Sequence, residues 1–148
     1  MTHIELRPMT AQDINAVMEV EKSVYPYPWT KGIFADCLRV NYECWVATVE
    51  NDIIAHAVLS VAAGESHILN LAVGKGYQKQ GIGKQLLKHM VGIARIKSVD
   101  IIMLEARPSN VAAIQLYEAI GFNEIGIRKG YYPADNGKED ALLFAMQL

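Results

Sequence analysis

Apolar residues fall along this chain in two rhythms, one of a helix and one of a strand. Ile14, Val17 and Met18 run on to Glu21 at helical spacing, predicting a helix capped by Thr10 or Asp13 and ended before Pro26-Tyr27-Pro28. A second short helix follows Thr30, with Ile33, Phe34, Cys37 and Leu38 on its buried face. Ile82, Leu86, Leu87, Met90, Val91 and Ala94 set a third, from Gly81 to about Ile96. Pro108-Ser109-Asn110 starts a fourth through Val111, Ile114, Tyr117 and Ile120, closed by Gly121. Short β-type runs occupy residues 4–7, 44–49, 53–61, 67–73, 101–106, 123–128 and 141–146, with Glu50-Asn51-Asp52 as a turn. Residues 101–104 are apolar on both faces, which marks a central strand. The stretch Tyr131-Tyr132-Pro133-Ala134-Asp135-Asn136-Gly137 reads as the loop between the last two strands. This order predicts an α/β fold, a central mixed β-sheet flanked by α-helices, as a single domain over residues 1–148.

Composition narrows the class. Hydrophobic residues make up 51% and charged residues 20%, a globular balance, and no apolar run approaches the ~20 residues that span a bilayer. The first seven residues are polar and lack the layout of a signal peptide, and Cys37 and Cys44 form no C-x-x-C pair. Free thiols and no export signal predict a cytoplasmic protein without a metal site. The net charge of −2 hides an asymmetry: residues 66–99 hold six basic residues and no acidic one. The rest of the chain sets eight basic residues against sixteen acidic ones. One segment is suited to an anion, or is a basic helix face in solvent. A nucleic-acid surface is not expected, because the basic block is short and the acidic remainder repels phosphate.

The basic segment contains the chain's densest glycine cluster, Gly74-Lys75-Gly76-Tyr77-Gln78-Lys79-Gln80-Gly81-Ile82-Gly83-Lys84, between a predicted strand and a predicted helix. A helix start offers unpaired N–H groups and a positive dipole end, and glycines let a phosphate approach closely. Two phosphate loops are excluded by spacing. A P-loop needs Lys where Ile82 stands, and a dinucleotide fingerprint needs Gly where Leu86 stands. A ligand-free strand-to-helix turn also fits the residues taken alone.

Gln78-x-x-Gly81-x-Gly83 resembles the acetyl-coenzyme A motif of the GNAT acetyltransferase superfamily. A second hallmark follows in Asn110, Ala112-Ala113, Leu116-Tyr117-Glu118 and Gly121-Phe122, so the resemblance spans essentially the whole chain. It implies that the backbone of Leu71, Ala72 and Val73 pairs with the pantetheine arm. It implies also that N–H groups from Lys79, Gln80, Gly81, Ile82, Gly83 and Lys84 hold the pyrophosphate, and that Asn110 contacts the arm. Acetyl-coenzyme A would be the cosubstrate, with no metal.

Amide formation from an amine and a thioester needs a neutral amine, a polarised carbonyl and a proton for the thiolate. Glu105 ends an apolar strand, where desolvation would make its carboxylate a better base, although a strand-end glutamate is as readily a solvated terminus. Tyr117 lies seven residues after Asn110, on the same helix face, and alone also suits packing. The resemblance assigns Glu105 as general base and Tyr117 as general acid. Neither cysteine has a His partner nearby in sequence, so both are expected as buried structural thiols. The four histidines show no triad-like or ligand-like pattern.

Three stretches carry a closer resemblance, to the bacterial ribosomal-protein-alanine N-acetyltransferases. They are Tyr27-Pro28-Trp29-Thr30, residues 104–110, and Arg128-Lys129-Gly130-Tyr131-Tyr132-Pro133 with residues 137–141. Gly130 departs from the Asn expected before the tyrosine pair. The implied partner is the N-terminal tail of the eighteenth small-subunit ribosomal protein, contacted by Tyr27, Trp29, Tyr131 and Tyr132, with the enzyme a monomer. Glu19 and Glu21 are expected to steer that basic tail. Two rivals stay open: acetylation of lysine side chains or small amines, and a non-catalytic coenzyme A sensor.

Overall fold

Among the described residues the helical and β rhythms resolve into seven strands and four helices. Residues 3–135 and 137–148 are described in this computed structural model, so Asn136 of the predicted loop lies outside them. In chain order the elements are β1 (Glu5–Pro8), α1 (Ile14–Val24), α2 (Lys31–Arg39), β2 (Glu43–Val49), β3 (Asp52–Ala62), β4 (Glu65–Val73), α3 (Ile82–Ile96), β5 (Ile101–Ala106), α4 (Val111–Ile120), β6 (Asn123–Ala134) and β7 (Gly137–Gln147). Two 3-10 turns, Ala11–Asp13 and Lys75–Tyr77, complete the chain. The strands line up as β1-β2-β3-β4-β5-β7-β6, a mixed sheet in an α/β fold.

Contacts divide the chain into two units, residues 1–60 with 69–90, and residues 61–68 with 91–148. In the first, β1 pairs antiparallel with β2 from Glu5↔Thr48 to Pro8↔Trp45. β2 pairs antiparallel with β3. Val17, Met18, Phe34, Cys37, Cys44, Val46 and Val58 are buried together, with Trp29 packed against them. Each large apolar side chain so buried contributes about 1.5–3 kcal/mol. In the second unit β4 runs parallel to β5 from Glu65↔Ile101 to Ile68↔Leu104. β7 is antiparallel to β5, and β6 to β7.

The helix starts follow capping chemistry. The Thr30 hydroxyl accepts from the Ile33 N–H at 3.2 Å, and the Asn110 side-chain carbonyl accepts from the Ala113 N–H at 3.3 Å. Thr10 opens the 3-10 turn ahead of α1, its N–H and hydroxyl both donating to Asp13 Oδ2 at 2.8 and 3.1 Å. At the other end of α4 the Gly121 N–H donates back to Tyr117 and Glu118, and the Phe122 N–H to Tyr117.

Two expectations are corrected. Ile33 is 40% exposed, because the buried face of α2 is carried by Phe34 and Cys37. Residues 131–134 are not loop but the end of β6, paired from Tyr132↔Glu139 to Ala134↔Gly137 after a register shift between Arg128 and Tyr132. A strand at the end of the sheet accommodates Pro133, whose missing N–H would break a central strand.

Asp13 also accepts two hydrogen bonds from the Arg7 guanidinium, at 2.7 and 2.9 Å. Chiefly through these bonds, Arg7 lowers the Asp13 carboxyl to about 2. A depressed carboxylate stabilises the fold above its unfolded value near ~4, and the gain disappears as pH falls through the folded value. Asp13→Asn is therefore expected to cost about 1 kcal/mol at neutral pH. Urea titrations of both proteins will show the gap closing between pH ~4 and pH ~2.

Candidate active site

In the first unit the glycine-rich segment leaves β4 and enters α3. Lys79 and Gly81 both lie in the left-handed region, at φ 62° and 81°. Gly81 adopts this conformation at little cost. The two left-handed residues turn the chain sharply into α3, where the Gln85 N–H already bonds to the Gly81 carbonyl. Ile82 points inward, 1% exposed, and anchors the helix start, while Lys79, Gln80, Gly81 and Lys84 are exposed. Such a helix start, flanked by lysines and free of acidic residues in its first turn, is suited to an anion.

The end of β4 is already engaged with the protein. The Tyr25 hydroxyl donates to the Leu71 carbonyl, and Gln78 Nε2 donates to the Val73 carbonyl at 2.9 Å. Ala72 between them is buried. Each carbonyl keeps a second lone pair for a further donor.

A carboxylate stands beneath this strand. Glu21 of α1 is 1% exposed. Its Oε1 lies 2.9 Å from His56 Nε2 and accepts from Asn70 Nδ2 at 3.1 Å. Its Oε2 accepts from the Trp29 N–H at 2.9 Å and from Asn70 Nδ2 at 3.2 Å. The Trp29 ring stacks obliquely on Phe34 at 5.2 Å, and Phe34 meets His56 edge-on at 5.4 Å. Glu21 therefore does not steer a basic tail; of the pair expected to do so, only Glu19 is exposed.

In the second unit Glu105, near the end of β5, is not isolated among apolar groups. Arg128 Nη1 of β6 lies 3.5 Å from Glu105 Oε1. Arg128 and Glu105 lie on one face of the sheet, on either side of β7, where Ala141 and Leu143 hold the intervening positions. The Arg128 guanidinium also lies 5.2 Å from the Tyr131 ring centre, and Arg107 lies 4.5 Å from that of Tyr132. The two tyrosine rings meet edge-on at 5.1 Å. Arg107 is fixed by the Pro133 carbonyl at 2.8 Å and Glu139 at 3.1 Å. Glu139 also accepts from the Ser109 N–H at 3.0 Å, just before α4.

Tyr117 is 8% exposed, with Phe122 and Phe144 at ring distances of 6.2 and 6.3 Å. Burial, with a smaller push from Tyr132, raises its hydroxyl to about 12. Burial likewise raises Tyr132 to about 12, helped by Glu105 and Tyr131. Both phenols stay protonated at neutral pH.

The Acetyltransferase (GNAT) family profile matches residues 14–122, well over half of the chain. The chain belongs to the GNAT acetyltransferase family. It is an N-acetyltransferase, and its acetyl donor is acetyl-coenzyme A. Among its relatives are the [ribosomal protein bS18]-alanine N-acetyltransferases of Escherichia coli K12, 37% identical over 92% of both chains, and of Haemophilus ducreyi, 36% identical over 93% of this chain and 95% of that one. The crystal structure of the E. coli ribosomal-protein-S18-alanine N-acetyltransferase superposes with a TM-score of 0.92 at 34% identity, covering 98% of this chain and 94% of that one. Ard1 from Thermoplasma volcanium shares the fold, with a TM-score of 0.90 at 24% identity, covering 98% and 97%.

Within the second unit the structure brings Glu105, Arg128, Tyr131 and Tyr132 into one cluster. Tyr27 is exposed, whereas Trp29 is half-buried in the core of the first unit. Cys37 and Cys44 are free and buried. Burial above all, with Cys37 and Glu43 adding to it, pushes the Cys44 thiol up to about 12, so neither an acetyl-cysteine nor a metal thiolate suits it.

Arg128 was legible only as part of a stretch, and Glu21, His56 and Tyr25 carried no signal of partnership. The pairings of Glu21 with His56 and Asn70, and of Tyr25 with Leu71, span 35 to 49 residues along the chain.

Gly130 departs from the expected Asn without damage to the backbone of β6. Its φ is 59° and its N–H donates to Asp140 Oδ1 at 2.9 Å. Glycine and asparagine are the residues that enter this left-handed region most easily. Gly130→Asn is expected to leave thermal stability nearly unchanged, whereas Gly130→Val should cost about 1–2 kcal/mol in equilibrium unfolding.

Proposed function

We propose that this enzyme acetylates the α-amine of the N-terminal alanine of ribosomal protein bS18, in the cytoplasm, by direct attack of the amine on the thioester. The observation that carries the reading is identity of 37% with the E. coli bS18-alanine enzyme over 92% of both chains. The cluster of Glu105, Arg128 and the tyrosine pair supports it chemically, because it offers a carboxylate beside exposed aromatic surface.

In this reading the glycine-rich helix start, from Lys79 to Lys84, receives the pyrophosphate. The backbone of residues 71–73 meets the pantetheine arm. Asn110 contributes where its capping bond leaves it capacity, through its amide N–H groups. The neutral amine attacks the acetyl carbonyl and gives a zwitterionic tetrahedral adduct. Glu105 takes a proton from the nitrogen, directly or through water, and the carbon–sulfur bond breaks as the carbonyl re-forms. Coenzyme A leaves as a thiolate that receives its proton from Tyr117 or solvent.

Magnitudes refine the role of Tyr117. Moving a proton from a phenol at about 12 to a thiolate near ~8.5 is uphill by ~5 kcal/mol. Tyr117 therefore acts first as a hydrogen-bond donor to the developing thiolate, and full transfer follows as product leaves.

An α-amine suits a single carboxylate base. Its pKa of ~7.7–8.0 leaves a neutral fraction at cytoplasmic pH that a lysine at ~10.4 lacks.

Three assays with acetyl-coenzyme A check the reading. A basic peptide beginning with a free alanine should gain one acetyl group, while the same peptide with a blocked N-terminus and free lysines should not. Glu105→Gln should lower kcat by ~10²–10⁴. Tyr117→Phe should lower kcat with little change in peptide KM. Acetylation of the blocked peptide would replace the α-amine reading with a lysine one, and unchanged rates in Glu105→Gln would remove Glu105 as the base.

A further inference from the structure

Glu21 takes no part in the reaction just described, yet its burial is costly. Removing a carboxylate from water costs several kcal/mol unless donors replace the lost solvent. Here Trp29, His56 and Asn70 replace it at both oxygens, all within 3.2 Å. They come from three places: the segment after α1, strand β3 and strand β4. Core filling alone would be met by Leu or Met at this position, often with equal or better stability. What those residues lack is a hold on the Trp29 N–H.

That hold has a definite geometry. The segment from residue 25 to residue 29 is tethered at both ends. Tyr25 donates to the Leu71 carbonyl, and Trp29 donates to Glu21, which is joined in turn to Asn70. The two tethers therefore arrive at adjacent residues of β4. Pro26 and Pro28 stiffen the span between them, and it presents Tyr27, which is 42% exposed. Asn70 Oδ1 and His56 Nδ1 are buried without a hydrogen-bond partner among the described residues. The cluster is thus arranged around the Glu21 carboxylate and not around its own mutual bonds.

We propose that Glu21 is a positioning residue for the acceptor amine. It registers the segment carrying Tyr27 on the strand assigned to the acetyl donor, and so sets affinity for the peptide while leaving the chemical step alone. The inference rests on the peptide substrate of the proposed function and on the resemblance that sets Tyr27 against that peptide.

The test is initial-rate kinetics on Glu21→Gln, Asn70→Asp and the double variant, with acetyl-coenzyme A and the basic alanine peptide. Coenzyme A calorimetry counts folded sites in each preparation. Each single variant is expected to raise peptide KM about tenfold, the effect of ~1.4 kcal/mol. The KM for acetyl-coenzyme A and kcat per folded site should stay within about twofold. The double variant exchanges amide and carboxylate across one contact, so it should recover most of the loss. Glu21→Gln is isosteric and keeps the comparison available if Asn70→Asp does not fold.

Unchanged peptide KM in Glu21→Gln would overturn the inference. So would an equal rise in the KM for acetyl-coenzyme A, or a drop confined to the count of folded sites. If the parent enzyme takes only lysine peptides or a polyamine, the alanine reading falls. The same KM split measured with that amine then decides the role of Glu21 separately.

Discussion

A carboxylate shut away from water constrains everything that touches it, and Glu21 is in that position. Its two oxygens are met by N–H groups from a backbone, an imidazole and an amide. Each of those donors has a fixed direction, so α1, the segment after it, β3 and β4 are held in one mutual arrangement within their unit. Hydrophobic packing around Phe34 and Trp29 supplies most of the cohesion. Packing tolerates sliding better than directed bonds between buried groups do. The glycine-rich segment leaves β4 directly after Val73, and α3 begins nine residues beyond that strand end.

The chemistry of the second unit depends on charges placed at the sheet surface. Glu105 faces Arg128 and not an apolar wall. Arg107 ties the end of β6, and Glu139 the start of β7, to the residues just ahead of α4. The tyrosine pair is thereby carried on strand backbone and not on a free loop.

The fold was largely legible because its signals are local. Helical spacing at Leu86, Leu87, Met90 and Ala94, the Thr30 and Asn110 caps, and the two-sided apolar run in β5 each declare an element within a few residues. Gly81 was legible too, since a turn into a helix start favours a residue that accepts positive φ. Membership of the acetyltransferase family was legible from two spaced motifs, and the family profile bears it out.

What escaped depends on distant partners. Glu21 sits one turn from Val17 and looks like any polar residue on an amphipathic helix; only the fold brings His56 and Asn70 to it. The extent of β6 escaped for the opposite reason. Pro133 and the Asp135-Asn136-Gly137 run signal a loop locally, while pairing with β7 extends the strand through Ala134. The pairing of Glu105 with Arg128 escaped similarly, because an apolar run in sequence says nothing of an arginine two strands away.

The two strands that end the sheet share a trait with a consequence for the protein at high concentration. β1 is only four residues long and finishes at Pro8. β6 is interrupted by two register shifts and ends near Pro133. An open sheet edge is a template for the strand of another molecule, and short length, bulges and proline all spoil that template. The exposed Ile125 and Ile127 would otherwise make β6 adhesive. The irregularities that bring the tyrosines and Arg128 to their places thus also protect the chain from edge-to-edge aggregation.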